Sequence, residues 1–355
     1  MKRRLATIYA IFCTLLFVGG LVVLFIFSWR AGEKQTLACL ISMLVGFVFV
    51  PIFHEYGHLF FLIINKMDCV YIKCFCFAQY IKDGKKRIKF ASPFAPDQTQ
   101  AVPKCGGNMK KRASAYTLGG LIFSVILLAL LIGGGVAVAL FGKFSFALWG
   151  AVPYAAYIFL LNVAPLEYPN GPTDASVYRS IKKGDDTATV MLAAMEIQGQ
   201  IYEGKTFAEI DKNLYFNLPQ LCEDDRLFAV ILELRYRYYI DKEDYKNAAD
   251  CLNRLIQTQE YLNADEMEKI AAELTYMHAL NGDFERAEES GKLCQNYLKG
   301  NTPAAKRILA AYSAAFGKTE AAQILIAQAK SVLNNERMLG MRRFEEKLVA
   351  RITLV

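Results

Sequence analysis

The stretch VFVPIFHEYGHLFFLIINK, residues 48–66, places His54, Glu55 and His58 inside an otherwise apolar run. Ionisable side chains are costly within a bilayer, so their presence in a spanning segment indicates a functional site. His54 and His58 are four residues apart, so on a helix their rings project from one face and can bind a single zinc ion. The whole chain has 3 histidines, and two of them lie here, which favours a metal site.

Glu55 lies next to the first histidine but off the shared ligand face. In a motif of this spacing, the glutamate acts as the general base that removes a proton from the attacking water. A proton relay and a buried polar network that only joins helices are the alternatives, and neither accounts for the zinc spacing. Lys66 follows His58 after seven residues, which places the site about 10 Å from the cytoplasmic end of the helix.

The apolar residues of the chain are concentrated in its first half. Hydrophobic residues make up 54% of the 355 residues and charged residues 21%, and the long apolar runs all precede residue 166. Four runs are long enough to span a bilayer: Leu5–Ser28, Leu37–Asn65, about Ala115–Phe141 and about Phe146–Leu166. The composition therefore predicts a mostly α-helical protein, with a membrane domain over residues 1–180 and a water-soluble helical domain over 181–355.

The positive charges indicate how the spans are oriented. The formal net charge is +7, and many basic residues flank apolar runs, as is typical of cytoplasmic loops. This rule predicts that both termini and the segment between spans two and three are cytoplasmic. No nucleic-acid-binding motif accompanies the charge, so no nucleic-acid partner is expected.

The cytoplasmic segment after the second span contains a β-pattern. CVYIKCFCFAQYIKDGKKRIKFASPF, residues 69–94, alternates aromatic or β-branched residues around Asp83-Gly84, which predicts a β-hairpin packed on the spans. Its cysteines have no C-x-x-C pair, so we interpret them as reduced thiols, with a structural metal as the alternative. In the third span, TLGGLIFS, residues 117–124, predicts close helix packing without a chemical role.

A zinc ion held by two imidazoles needs another protein ligand. The fourth span ends in LNVAPLEYPNGPTDASVYRS, residues 161–180, where three prolines prevent a continuous helix. Asp174 lies in this broken stretch, at the level that the second span's motif approaches, and we predict it as the third ligand. The alternatives are that Asp174 or Thr173 only caps the next helix, and that Glu167 is the ligand.

The two motifs together resemble the site-2 protease family of intramembrane zinc metalloproteases. FHEYGHLFF, residues 53–61, and NVAPLEYPNG, residues 162–171, carry the resemblance, which covers about residues 37–180. It implies that Glu55 is the general base, that His54 and His58 bind zinc, and that Asn162 positions the substrate or the oxyanion. An amide that bonds only to its own span is the alternative for Asn162.

One position departs from the family pattern. The second motif of the family is Asn-x-x-Pro, four further residues and Asp-Gly, in which the Asp binds zinc. Asn162 and Pro165 match, but Asn170 stands where the Asp is expected. The resemblance then implies either that Asp174 takes over as ligand or that the enzyme is impaired.

The second half contains three helix-pair units, which resemble tetratricopeptide repeats: residues 226–256, 268–298 and 305–333. Such repeats stack into a concave surface that binds proteins, so a cytoplasmic protein partner is expected; an ordinary helical bundle is the alternative.

We therefore expect a multi-pass zinc endopeptidase in a bacterial plasma membrane that cleaves a membrane-anchored protein or peptide. The alternatives are a catalytically inactive membrane scaffold or receptor that acts through its repeats, and a metal or proton transporter.

Overall fold

The structure, a computed structural model, describes residues 2–82, 85–92, 98–141, 146–168, 171–257 and 262–353. Of the described residues, 73% are helical, which confirms the mostly α class. It divides into two compact units. The first, here called the membrane unit, comprises Met1–Ile81, Lys86–Val102 and Lys110–Asp185, and the second, the helical unit, comprises Lys82–Lys85, Pro103–Met109 and Asp186–Val355.

Four stretches of helix in the described residues are long and apolar enough to cross a membrane, as the sequence predicts. They are Arg4–Arg30, Glu33–Ile64, Met109–Leu140 and Phe146–Val163, with mean hydropathies of 2.8, 2.5, 2.8 and 1.6. Backbone amides have no water to bond in a bilayer, so apolar runs of this length must form helices that satisfy them internally. The chain is therefore expected to associate with a membrane.

The first three stretches belong to continuous helices, α1 (Lys2–Arg30), α2 (Glu33–Ile64) and α3 (Met109–Leu140). The fourth is divided into α4 (Phe146–Trp149) and α5 (Val152–Val163). The break lies where Gly150 packs against the Cys39 carbonyl and the Ser42 side chain of α2. Because a proline also lies in the first turn of α5, the chain restarts there as a new helix.

A four-stranded sheet follows α2. Its strands are β1 (Met67–Cys74), β2 (Phe77–Lys82), β3 (Lys85–Phe90) and β4 (Gln98–Pro103), in the order β3-β2-β1-β4. β2 and β3 flank Asp83-Gly84, the predicted turn, which lies outside the described residues. The sheet is larger than the predicted hairpin for two reasons. The chain also turns between the paired residues Cys74 and Phe77, through Phe75 at a φ of 52°, which adds β1. β4 then pairs with the other edge of β1.

The proline-rich stretch after α5 forms a small hairpin and then a helix. β5 (Glu167–Tyr168) pairs with β6 (Gly171–Pro172), and α6 spans Asp174–Lys183. Thr173 is the N-cap of α6, since its hydroxyl oxygen accepts the Ser176 N–H at 3.2 Å. Helix α5 ends at Val163, before the first proline, as predicted from the missing amide hydrogen of proline.

The helical unit consists mainly of antiparallel helix pairs. Its helices are α7 (Asp186–Glu203), α8 (Asn213–Phe216), α9 (Arg226–Asp241), α10 (Tyr245–Gln257), α11 (Ala264–Leu280), α12 (Phe284–Lys292), α13 (Gln295–Leu298), α14 (Pro303–Ala315), α15 (Thr319–Leu333) and α16 (Leu339–Ala350), with a 3₁₀ turn at Phe207–Glu209. The pairs α9–α10, α11–α12 and α14–α15 correspond to the three predicted units. In each pair, the turn between the two helices contains one residue in the left-handed backbone conformation. These residues are Glu243, Gly282 and Gly317, with φ of 62°, 72° and 71°.

Arg307, on α14, joins several helices inside the helical unit. Its side chain is fully buried, and its Nε donates to Glu345 of α16 at 2.8 Å while Nη2 donates to Glu273 of α11 at 2.8 Å. The guanidinium also lies 4.2 Å from the centre of the Tyr276 ring. Two carboxylates thus compensate a charge that would be strongly destabilising without partners.

A second charged cluster lies around Glu233 of α9. Arg237 donates to its carboxylate at 2.6 Å, and so does Lys269 of α11. Burial raises the pKa of Glu233, but the two cations outweigh this effect and lower the pKa to about 2. The carboxylate is therefore ionised over the physiological range.

The segment Pro103–Met109, between β4 and α3, belongs to the helical unit. The Gly107 N–H donates to both carboxylate oxygens of Glu196, on α7, at 3.0 and 2.8 Å. One turn along α7, Gly199 packs against the Cys105 carbonyl with no space for a Cβ. α7 therefore holds this segment through a carboxylate and a close backbone contact.

Candidate metal centre

His54 and His58 lie on the same face of α2, as their spacing predicts. Each residue is only 6% exposed, and their ring centroids are 5.0 Å apart. From residue 43 to its end, α2 is apolar apart from these two histidines, Glu55 and Tyr56, so the two rings are polar groups in a largely apolar part of the helix. The geometry required for two ligands to one ion is thus built into a single helix.

Three glycines allow α3 to approach the motif closely. Gly57 of α2 packs against the carbonyl of Gly119 on α3, and a Cβ on either glycine would overlap the opposing backbone. The missing side chain at Gly57 therefore serves helix packing. Gly120 faces the site itself, since a Cβ there would overlap His58 Nε2 and approach His54 Nε2 to 2.6 Å.

Asp174, in the first turn of α6, meets both rings. Its Oδ2 lies 3.2 Å from His54 Nε2 and 3.3 Å from His58 Nε2. Because Thr173 is the cap of α6 and also donates its hydroxyl to the Ala164 carbonyl at 2.7 Å, capping does not occupy the Asp174 carboxylate. Thr173 is therefore the N-cap of α6, and the Asp174 carboxylate contacts both histidine rings.

The outer nitrogens of both rings are held by α3. His58 Nδ1 donates to the Tyr116 carbonyl at 2.9 Å, and His54 Nδ1 lies 2.9 Å from the Ser124 hydroxyl. A carbonyl only accepts, so the proton of a neutral His58 ring is on Nδ1 and its Nε2 carries a lone pair toward Asp174. The prediction for TLGGLIFS described Ser124 as a packing residue and did not include this contact with His54.

These three donor atoms fit a metal ion. They lie within 4.8 Å of one another, and the described residues contain no other such group of histidine, cysteine and acidic side chains. Tetrahedral coordination with bonds of about 2.0–2.1 Å separates neighbouring donors by roughly 3.3 Å, close to both Oδ2–Nε2 distances. One cation would satisfy two imidazole lone pairs and a buried carboxylate together.

The Asp174 carboxyl is ionised in this setting. Burial raises its pKa, but the contacts with His54 and His58 outweigh burial, and the pKa lies well below its usual range. The Asp174 side chain is 19% exposed, compared with 7% and 8% for the two rings. Its Oδ2, the atom that faces both rings, is itself buried.

Glu55 lies outside the ligand set, as predicted, but it is buried beside it at 5% exposure. Its Oε2 accepts a hydrogen bond from the Thr99 hydroxyl of β4 at 2.5 Å. The Tyr116 hydroxyl in turn donates to the Thr99 carbonyl. Sequence reasoning missed both Thr99 and Tyr116, because neither belongs to a motif with characteristic spacing.

The other candidate residues have different surroundings. Asn162, predicted to position the substrate, is half-buried and donates its amide to the Ile158 carbonyl of its own helix at 3.1 Å; its predicted role stays a prediction. Glu167 is exposed in β5 and is not part of the cluster, and Asn170 lies outside the described residues. The nine cysteines are free thiols.

Comparisons of the chain with protein-family models, with curated proteins and with solved structures find no match.

Proposed function

We propose that this chain is a membrane-embedded zinc endopeptidase of the site-2 protease type, which hydrolyses peptide bonds of membrane-anchored proteins or peptides near the cytoplasmic face. The observation that supports this most is that His54 and His58, in a helix apolar enough to span a membrane, meet Asp174 of α6 beside Glu55. Two histidines and one carboxylate are the metal donors of many zinc peptidases, and the glutamate next to the first histidine is the general base of that motif.

Zinc fits these donors better than Mg²⁺ or Ca²⁺, since imidazole nitrogen is a preferred zinc ligand and the harder cations take mainly oxygen. When bound, zinc would supply a Lewis acid that polarises the scissile carbonyl and acidifies water. His54 and His58 would hold the ion through Nε2 and Asp174 through Oδ2, while Ser124 and the Tyr116 carbonyl fix the rings.

Glu55 would perform the proton transfer. Its carboxylate takes a proton from the attacking water while the water oxygen adds to the carbonyl carbon, and it then gives the proton to the amine nitrogen as the C–N bond breaks. Burial keeps bulk water from the carboxylate.

The sheet offers a means of presenting the substrate. A transmembrane helix must unwind before it can be cleaved, and its freed amides need new partners in an apolar setting. Among the described strands, β4 is an outer strand, and its Thr99 touches the base. An extended substrate that adds to β4 would bring its carbonyl toward Glu55; full cleavage by a Gln100→Pro variant would remove this part of the proposal.

The same proposal has both termini in the cytoplasm and the spans in a bacterial plasma membrane, and the basic segments around the spans support this orientation. The helical unit would then face the cytoplasm and could bind a protein partner there.

The decisive experiment combines metal analysis with a cleavage assay. The purified full chain is reconstituted into liposomes with a library of single-span peptides, new peptide termini are mapped by mass spectrometry, and bound metal is counted by elemental analysis. We expect one zinc per chain in the wild type and in Glu55→Gln, cleavage only in the wild type, and loss of zinc in Asp174→Ala. Glu167→Ala is the matched control and should keep both zinc and cleavage.

Other outcomes would contradict the proposal. A zinc-free wild type that cleaves nothing would favour a scaffold or receptor that acts through the helical unit. Metal or proton flux across the liposome membrane without cleavage would favour a transporter.

A further inference from the structure

Thr99 is the residue of β4 that reaches the general base. Its hydroxyl donates to Glu55 Oε2 at 2.5 Å, although the two residues are 44 positions apart in the chain. Glu55 is 5% exposed, and Thr99 is half-buried. A hydrogen bond to a buried carboxylate is stronger than one between neutral groups, so this contact restricts the orientation of the carboxylate.

A second contact fixes Thr99 itself. The Tyr116 hydroxyl of α3 donates to the Thr99 carbonyl, and the Tyr116 carbonyl accepts from His58 Nδ1 at 2.9 Å. The Tyr116 ring also lies 5.4 Å from the His58 ring, centroid to centroid. One residue of α3 thus connects the strand that holds the base to a predicted metal ligand.

We propose that Thr99 is a positioning residue for Glu55, an inference that depends on the proposed peptidase function. The Thr99 hydroxyl occupies Oε2 and leaves Oε1 as the oxygen that accepts the proton of water and later returns it to the leaving amine. Without this hydrogen bond, the carboxylate can rotate between orientations, and only some of these orientations direct a bare oxygen at the reacting water.

The effect of Thr99 on Glu55 can be measured separately from metal binding. Thr99 lies outside the His54, His58 and Asp174 cluster, so removing its hydroxyl leaves all three donors in place. Thr99→Val keeps the shape of the side chain and removes only the donor, whereas Thr99→Ser keeps the donor. A loss specific to proton transfer lowers kcat and kcat/KM together and leaves KM unchanged.

The test compares Thr99→Val, Thr99→Ser and a matched control in liposomes with one cleaved single-span peptide. The control is Thr36→Val, since Thr36 is a buried threonine of α2 whose hydroxyl donates within its own helix to the Gly32 carbonyl at 3.2 Å. We expect kcat of Thr99→Val to fall roughly 10–100-fold, the range for residues that orient catalytic groups. KM, zinc content and unfolding temperature should stay close to the wild type, and Thr99→Ser should restore most of kcat.

A spectroscopic measurement tests the contact without turnover. The infrared difference between the wild type and Glu55→Gln contains the carboxylate stretch of Glu55, and this band should shift in Thr99→Val but not in Thr99→Ser or Thr36→Val. An unshifted band, an unchanged kcat in Thr99→Val, or equal losses in the valine and serine variants would each overturn the positioning role. Failure of the peptidase proposal itself would be distinguishable, because the wild type would then not cleave while the infrared shift would still report the hydrogen bond.

Discussion

Gly120 offers a test of the metal centre that removes no ligand. In Gly120→Ala the new methyl group would lie 2.6 Å from His54 Nε2 and 2.6 Å from its Cε1, and it would overlap His58 Nε2. Nonbonded heavy atoms rest at about 3.5 Å, so the His54 ring must withdraw by roughly 0.9 Å and the His58 ring by more. Metal sites tolerate displacements of about 0.2 Å in their ligand distances. We therefore expect zinc affinity to fall by roughly 100-fold or more, beyond the usual effect of outer residues.

The measurement is zinc content after dialysis against a chelator of known affinity, together with the thermal unfolding of the protein. Gly133→Ala is the matched control, because Gly133 lies in the same helix and a Cβ there meets nothing within 4 Å. It should keep zinc, since it carries the same change in helix propensity without the collision. If Gly120→Ala retains zinc at wild-type affinity, the proposed position of the ion beside Nε2 is wrong.

Three further predictions concern stability. Gly57→Ala should lower the free energy of unfolding by about 1–3 kcal/mol through overpacking against α3, whereas Gly19→Ala, with open space around it, should not; calorimetry in detergent measures both. Arg307→Ala removes the cation that bonds to buried Glu345 and to partly buried Glu273, and it should cost about 3–5 kcal/mol in urea unfolding. Arg254→Ala, at a surface ion pair, should cost less than about 1 kcal/mol. The folded-state pKa of Glu233 is lowered from 4.5 to about 2. Its ionisation therefore stabilises the fold above pH 4.5, and this contribution disappears as the pH falls toward 2. Glu233→Gln should be less stable than the wild type at pH 7, and the unfolding curves of the two proteins should converge in acid.

The features that sequence determines locally were predictable. Apolar length alone predicts the four candidate spans, since a bilayer leaves the backbone no alternative to a helix. His54 and His58 meet because helical periodicity places residues i and i+4 on one face. The choice of Asp174 required one further step, in which the prolines after α5 end that helix and leave the carboxylate near the motif.

The features that depend on contacts between distant segments were not predictable. Thr99 reaches Glu55 only because β4 packs beside β1, and nothing in QTQAVP, residues 98–103, indicates this pairing. The turn at Phe75 was missed because it lacks the Gly, Asn, Asp or Pro that usually mark turns. A serine in an apolar helix, such as Ser124, is only a weak signal of a polar partner, because small residues also occur where helices pack closely.

The position of Pro103–Met109 has a consequence for biosynthesis. This segment leaves the ribosome before α3. Its partners lie on α7, which is translated only after α5. They are Glu196, whose carboxylate accepts the Gly107 N–H, and Gly199, which packs against Cys105. The contacts of Gly107 with Glu196 and of Cys105 with Gly199 can therefore form only after α7 has been translated. Exchanging the C-terminal portion for that of another protein would remove these contacts with Glu196 and Gly199, so the chain before α3 and the chain from α7 onward must be kept together for Pro103–Met109 to keep its structure.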